Sequence, residues 1–487
     1  MICISVTPES EMLAKADLLN ASRHCDIIEL CLDRLDEVTD IGELLSAVDK
    51  QVIVSCRRLQ DGGRWRGSEE DRLQLLRQAI EAGPAYVELE LDVAAQIPVA
   101  GETKRVISYT SLDKPLGKVD DIFAQASEVV ADVVKFTWPT PTLNATWPLV
   151  AAVTEERDIP VVGMGLGNAS LMFSLLGRKY GSPWVYAALE KGMEAHEGQP
   201  TAFELDEIYD WNHIVPLTHF VGLFGFGASE TTAVRILNAG LKALDVNTRC
   251  LPLRLGSTDR LDTMLERLRM NALLVSPHFG EQMLDFAEKS EPASEETHYS
   301  DLIAELPDGW TAHNILWRKA TRAIEQALGK TGPRHHPLNS ADVLIVGTNA
   351  TARAMAHGIY RRKGHLTVTS PSEEKAEQLL SMFDCRYVPF DQLHQSSPDV
   401  VIFTDPGIPV GEANLAFDPS FLNESMTVLD LSRMPNDSDF GQEARQRGCK
   451  VVEPRDVFIS QVAAQFTVIT GEVLPDDVLQ EALEAEG

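Results

Sequence analysis

From residue 1 to about 210 the chain repeats one pattern, a short apolar run of β-branched residues and then an amphipathic helical stretch. This repetition restricts the fold more than any other feature. The strand candidates are Ile2–Val6, Ile27–Leu32, Val52–Cys56, Tyr86–Leu91, Arg105–Tyr109, Val133–Phe136 and Pro160–Gly163, with an eighth expected near Ala202–Leu205. Helical patterns such as Glu70–Glu81 and Leu171–Tyr180 lie between them. About eight strand-helix units in this length predict a compact (β/α)₈ barrel, an α/β fold whose chemistry gathers at the C-terminal ends of the strands. Glu29, Arg57, Thr110 and Lys135 fall at or near such ends, so the fold would bring them to one pocket.

Lys135 stands near the end of the apolar run Ala131–Trp138. A lysine enclosed there would have its pKa pushed down by desolvation and would carry a free amine, a nucleophile for a carbonyl carbon. The alternative is a solvated head that snorkels from the strand end. Both readings stand on sequence alone.

The remainder alternates in the same way. Residues 210–218 break the pattern and read as a linker, and 219–288 hold strand and helix runs. The polar piece 289–309 looks like a surface excursion, and a helix over 315–328 ends at a predicted hinge, 329–333. From Ala341 a buried strand, a tight turn at Gly347 and a helix start are followed by further strands at 365–369, 400–404, 427–431 and 450–452, a doubly wound parallel pattern. The expected domains are therefore 1–210, 219–335 and 336–487, within the count of about three that 487 residues suggest. A formal charge of −30 argues against nucleic-acid and anionic-membrane partners. It leaves room for a small anionic substrate held by local cations, and leaves oligomerisation open. Seven cysteines without CxxC spacing or paired histidines favour reduced thiols, with no metal. The N-terminus shows no signal pattern and no apolar run reaches about 18 residues, which predicts a soluble cytoplasmic protein.

Several stretches resemble known families. ICISV at 2–6, IIELCLDRLD at 27–36, VSCRRLQDGG at 54–63, VISYT at 106–110, ADVVKF at 131–136, VVGMGLG at 161–167 and GQPT at 198–201 resemble type I 3-dehydroquinate dehydratases. More loosely, NAGLKAL at 238–244, VLIVGTNATARA at 343–354, TDPG at 404–407 and FISQVAAQF at 458–466 resemble shikimate dehydrogenases. Together they resemble the fused bifunctional enzymes of the shikimate pathway, which make precursors of aromatic amino acids. The resemblance implies a TIM barrel followed by a substrate domain and a Rossmann-type nucleotide domain. It implies Schiff-base chemistry at Lys135 with Glu29 beside it, and substrate contacts at Ser5, Arg57, Asp61, Gln199 and, in the second half, Gln461. It also implies NADP or NAD at a turn made of Gly347, Thr348, Asn349 and Ala350 with Arg353 in the helix that follows.

The departures bear on activity. The family histidine of the SYH motif is Thr110, which cannot take a proton near neutrality. The arginine of ELRLD is Cys31, and spacing places the carboxylate-clamping arginine at Ser174. In the second half the two shikimate-holding serines are Thr231 and Ala233, the catalytic lysine is Phe279 and the catalytic aspartate is Leu316. Pro371 replaces the arginine that selects NADP, and Ala350 adds a β-carbon where backbone must approach pyrophosphate. These departures predict feeble or absent dehydration of 3-dehydroquinate and an impaired oxidoreductase half. Three readings follow: a shikimate-pathway enzyme, dehydratase plus dehydrogenase; a catalytically reduced homologue that binds a ligand or regulates; and a Schiff-base enzyme for another carbonyl compound, with Glu29 or water moving the proton.

Overall fold

The structure, a computed structural model, describes every residue except 36–39, 114–117, 168–169, 226–229, 278, 330–335, 372, 412–416 and 486–487, and at 230 the backbone alone. Of the expected hinge over 329–333, all but Gly329 lies outside the described residues. The chain forms two compact units, 1–219 with 247–264, and 220–246 with 265–487. Among the described residues no helix is long and apolar enough to cross a membrane.

The first unit is the expected barrel. Its strands are β1 (Ile2–Val6), β2 (Ile27–Cys31), β3 (Gln51–Ser55), β4 (Tyr86–Glu90), β5 (Lys104–Thr110), β6 (Val133–Pro139), β7 (Val161–Leu166) and β8 (Val185–Ala187). They run parallel in the order β7-β6-β5-β4-β3-β2-β1-β8, so the sheet is rolled and nearly closed, and its ladder pairs β8 with β1. Ser10, Asp40, Ser68 and Thr142 each cap a helix between the strands with a side-chain oxygen. Ser68 accepts from the amide of Asp71 at 3.1 Å, and Glu69, Glu70 and Asp71 place negative charge at the positive end of helix Glu69–Glu81.

Two expectations about elements are corrected. The eighth strand is Val185–Ala187, not 202–205. Thr201 and Glu204 instead form a reciprocal cap: the Thr201 amide donates to Glu204 Oε2 at 2.9 Å and the Glu204 amide donates to Thr201 Oγ1 at 3.1 Å, which starts a helical turn over Glu204–Ile208. The polar piece 289–309 is not a surface excursion. It carries a strand, Leu302–Leu306, and Tyr299, Ser300 and Asp301 are wholly buried. Its polar letters are consumed internally. Asp301 Oδ2 accepts the amides of Ile315 at 2.9 Å and Leu316 at 2.6 Å, at the start of helix Leu316–Leu328.

In the second unit, β9 (His219–Phe224), β10 (Met270–Val275), β11 (Lys289–Ser290), β12 (Leu302–Leu306) and β13 (Gly309–His313) lie in the order β9-β10-β12-β13-β11, with β12 antiparallel to both neighbours. A second, fully parallel sheet follows: β14 (Asp342–Val346), β15 (His365–Thr369), β16 (Cys385–Tyr387), β17 (Val400–Phe403), β18 (Thr427–Asp430) and β19 (Lys450–Val452). Its order, β16-β15-β14-β17-β18-β19, is the doubly wound arrangement, and the strand order reverses at β14. The turn after β14 therefore opens at the crevice where such sheets bind ligands.

Candidate active site

Strands β2, β4 and β6 are not neighbours in the sheet, yet each sends an ionisable side chain to one point. Side chains from such strands meet only inside the barrel. Alternation along each strand explains the arrangement. Cys3, Ile27, Ile53, Tyr86, Val106 and Val133 pack as an apolar floor. Two residues further along the same strands stand Ser5, Glu29, Ser55, Glu88, Ser108 and Lys135, all buried. Cys31, Arg57 and Thr110 follow two residues later, toward the C-terminal ends.

Lys135 is only 1% exposed. Its Nζ donates to Glu88 Oε2 at 2.7 Å and to Glu29 Oε1 at 3.4 Å, and lies 4.4 Å from the centre of the Tyr186 ring. The solvated reading is thereby excluded, and the expected direction of the pKa is corrected. Burial pulls the ammonium down, but the charges of Glu29 and Glu88 outweigh it and the pKa is raised.

The two carboxyls respond differently. Burial opposes ionisation of Glu29, but Lys135, Arg57 and the Ser5 hydroxyl, which donates to Oε2 at 2.8 Å, hold it well below the usual glutamate range. Glu88 is pushed up by burial and by Glu29. It is the easier of the two to protonate. The Lys135–Glu88 hydrogen bond is thus a route by which the ammonium can pass on a proton and expose the lone pair that attacks a carbonyl.

Arg57 lies above this triad. Its amide donates to Asp33 Oδ1 at 3.2 Å, Nη2 donates to Cys31 Sγ at 3.4 Å, and Nη1 lies 3.1 Å from His196 Nε2. His196 comes from the loop after β8, which is closed by its own hydrogen bonds. Gln199 Oε1 accepts the Ala195 amide at 2.8 Å, the Gln199 amide donates to His196 O at 3.2 Å, and Gly167 donates to Glu197 O at 2.9 Å. Gly198 permits this closure, since it sits at φ +80° and a β-carbon there would come 2.2 Å from Gly167 O. Arg57 Nε and Gln199 Nε2 are buried and make no hydrogen bond within the protein. Such groups ordinarily find a partner, and a polar ligand would supply one.

Of the barrel residues expected from sequence, the fold brings Lys135, Glu29, Ser5 and Arg57 together, with Gln199 in the loop that carries His196. Asp61 is buried and engaged by a neighbouring side chain. Its Oδ2 accepts from Arg58 Nε at 2.6 Å, and Arg58 reaches on to the exposed Asp92 at 2.9 Å, so Asp61 is the inner end of an ion cluster that runs out to the surface. Thr110 sits at the end of β5 in register with Thr137. Ser174 lies elsewhere, on helix Ser170–Lys179, where its hydroxyl donates to Tyr186 O at 3.5 Å. An arginine at this position would be buried against β8. Glu88 and His196 escaped the sequence reading. Glu88 had a signal, a charged letter on the inward phase of the run YVELE; His196, alone in a glycine-bounded loop, had none.

The second unit has a cleft of about 440 Å³ that includes Asn349, Ala350, Arg353, Leu316, Glu281 and Ser432 in its lining. Gly347 sits at φ +118°, where a β-carbon would meet Thr404 Oγ1 at 2.4 Å. Asn349 caps helix Ala350–Arg361: its Oδ1 accepts the Ala352 amide at 2.9 Å and its Nδ2 donates to Thr404 O at 2.8 Å. Arg353 is committed, with Nε donating to Thr297 O at 2.8 Å and Nη2 paired with Glu281. Thr348 is half-buried in the turn. Leu316 is fully buried in the lining, and the Phe279 ring lies against Gly225. Gln461 is buried on helix Pro454–Thr470, its Oε1 unpaired within the protein, and it is not part of the cleft lining. Among the described residues no three or more His, Cys, Asp or Glu gather to hold a metal ion.

A family model described as type I 3-dehydroquinase matches residues 2–216. A 3-dehydroquinate dehydratase of Dehalococcoides mccartyi is 30% identical over 220 residues, which span 43% of this chain and 94% of that protein. The chain belongs to the type I 3-dehydroquinase family. Unlike that relative, this 3-dehydroquinase homologue continues into a second half. Over 508 residues it is 22% identical to the chloroplastic bifunctional 3-dehydroquinate dehydratase/shikimate dehydrogenase of Arabidopsis thaliana, covering 98% of this chain and 83% of that protein. It is thus a homologue of the fused shikimate-pathway proteins. The solved dehydroquinate dehydratase and shikimate dehydrogenase from S. pombe aligns over 99% of this chain and 98% of its own, at 17% identity and a TM-score of 0.45.

Proposed function

We propose that the barrel is a Schiff-base lyase site for a small carboxylated ketone, 3-dehydroquinate by analogy with its relatives, and that the second unit does not transfer hydride. One observation carries the first part: Lys135 is enclosed with Glu29 and Glu88 at hydrogen-bonding distance. Nζ adds to the ketone carbon and water leaves; the resulting iminium draws electrons and acidifies the adjacent C–H. Arg57 Nε and Gln199 Nε2 supply unspent donors for the substrate's carboxylate and hydroxyls. Desolvating a buried ion triad costs several kcal/mol per ion, and a covalent role for Lys135 gives that arrangement a chemical use. That weighs against the reading as a regulatory homologue.

In the second unit the residues present do not fit a nicotinamide dinucleotide. A pyrophosphate at a helix N-terminus needs the first amides, and Asn349 Oδ1 already takes that of Ala352. Arg353 is held by Glu281 and Thr297. Neither Leu316 nor Phe279 can exchange a proton. Calorimetry tests both halves: 3-dehydroquinate should give saturable binding heat, and NADPH and NADH none up to millimolar concentration. A submicromolar constant for either nucleotide would refute the second part, and no heat with the ketone would refute the first.

A further inference from the structure

We infer that His196, from the loop after β8, carries the proton in the dehydration that Lys135 initiates, in place of a histidine at the position of Thr110 on β5. The inference rests on the Schiff-base reading of the barrel. It begins with geometry. His196 Nε2 stands 3.1 Å from Arg57 Nη1, and a guanidinium has donors but no acceptor, so Nε2 must offer its lone pair and the ring hydrogen sits on Nδ1. The imidazole is therefore neutral and able to accept a proton. It faces Arg57 from the segment after β3, Lys135 from β6, Glu29 from β2 and Arg34 from the turn after β2, and burial with the Arg57 and Lys135 charges holds its pKa well below the ordinary value. The loop aims it. Gln199, Gly198 and the Gly167–Glu197 hydrogen bond fix the backbone on both sides, and Arg34 Nη2 donates to Ala195 O at 3.5 Å.

The step balances without an oxidant or reductant. His196 takes a proton from the carbon beside the iminium, and the freed electron pair forms an enamine. The enamine expels the hydroxyl on the next carbon as His196 returns the proton to it, so water leaves. Hydrolysis of the imine releases the unsaturated ketone and restores the Lys135 amine. When the substrate carboxylate draws Arg57 away, Nε2 is released for the transfer. Thr110, with no group that titrates near neutrality, can do neither half of this exchange.

The test separates imine formation from proton transfer, using the full chain with 3-dehydroquinate. In His196→Gln, borohydride should still trap the adduct at the wild-type level, while dehydration falls by about 10²–10⁴-fold. In His196→Ala, added imidazole should restore part of the turnover, which a structural role would not allow. Thr110→His in the His196→Gln background should also regain turnover, by returning a proton carrier to β5. Dehydration within about threefold of wild type in His196→Gln would overturn the assignment. So would loss of trapping together with turnover, which would make His196 a binding group. A wild-type chain that forms no adduct would instead refute the Schiff-base reading itself.

Discussion

Lys135→Met should cost about 3–5 kcal/mol of stability at pH 7, the usual result of removing one partner from a buried ion cluster. Lys135 is the charge between Glu29 and Glu88, and both carboxyls are closed off from water. Without it, Arg57 alone faces two carboxylates, and Glu88, already raised by burial and by Glu29, must take up a proton to stay folded. The folded pKa of Glu88 then lies further above its unfolded value near 4.5. A group shifted that way contributes stability that is complete below the unfolded value and is lost as pH rises through the folded one. The loss in Lys135→Met should therefore be small at pH 5 and grow toward pH 8, as read from urea unfolding midpoints. A loss under about 1 kcal/mol at every pH would mean that the triad is solvated.

Asp301→Ala should be comparably damaging in the second unit. Asp301 takes two backbone amides at the start of helix Leu316–Leu328, and Gln465 Nε2 approaches its other oxygen at 3.4 Å. Each buried donor left without an acceptor costs about 1–3 kcal/mol, so about 2–6 kcal/mol is at stake. Asp301→Asn keeps an acceptor oxygen and should lose much less. It should also change the pH dependence. Burial pushes Asp301 up to about 7 from 3.8, although the two amides favour its charge, so its contribution is full below about pH 4 and fades as pH rises to about 7. Asp301→Asn removes that slope. Hydrogen exchange at the amides of Ile315 and Leu316 reports the effect directly, and unchanged protection in Asp301→Ala would contradict the capping role.

How far the sequence revealed this depended on where a residue's environment is set. Seven barrel strands stood out because buried parallel strands need β-branched runs at regular spacing. The eighth is only three residues long, and its competitor at 202–205 was a capping box whose Thr201 and Glu204 lie three apart. Lys135 and Glu29 were legible from strand position, but the direction of the lysine pKa was not, since it depends on Glu88, brought near by closure of the sheet. His196 depends on a loop conformation that no local pattern encodes. Asp301 looked like surface because a charged letter in a polar stretch carries no trace of the helix N-terminus it caps. Ser174 shows the converse: spacing to Gly181 placed an arginine where the fold has a helix-to-strand contact.

Everything proposed for the barrel depends on an imine between Lys135 and a pathway ketone. Borohydride trapping tests it most directly: the protein is incubated with 3-dehydroquinate, reduced and weighed intact, alongside Lys135→Met at pH 5, where that variant should remain folded. A mass increase of one reduced adduct in wild type, mapped to the peptide bearing Lys135 and missing from the variant, is the expected result. A folded wild-type protein with no adduct, or an adduct of equal yield in Lys135→Met, would contradict the account.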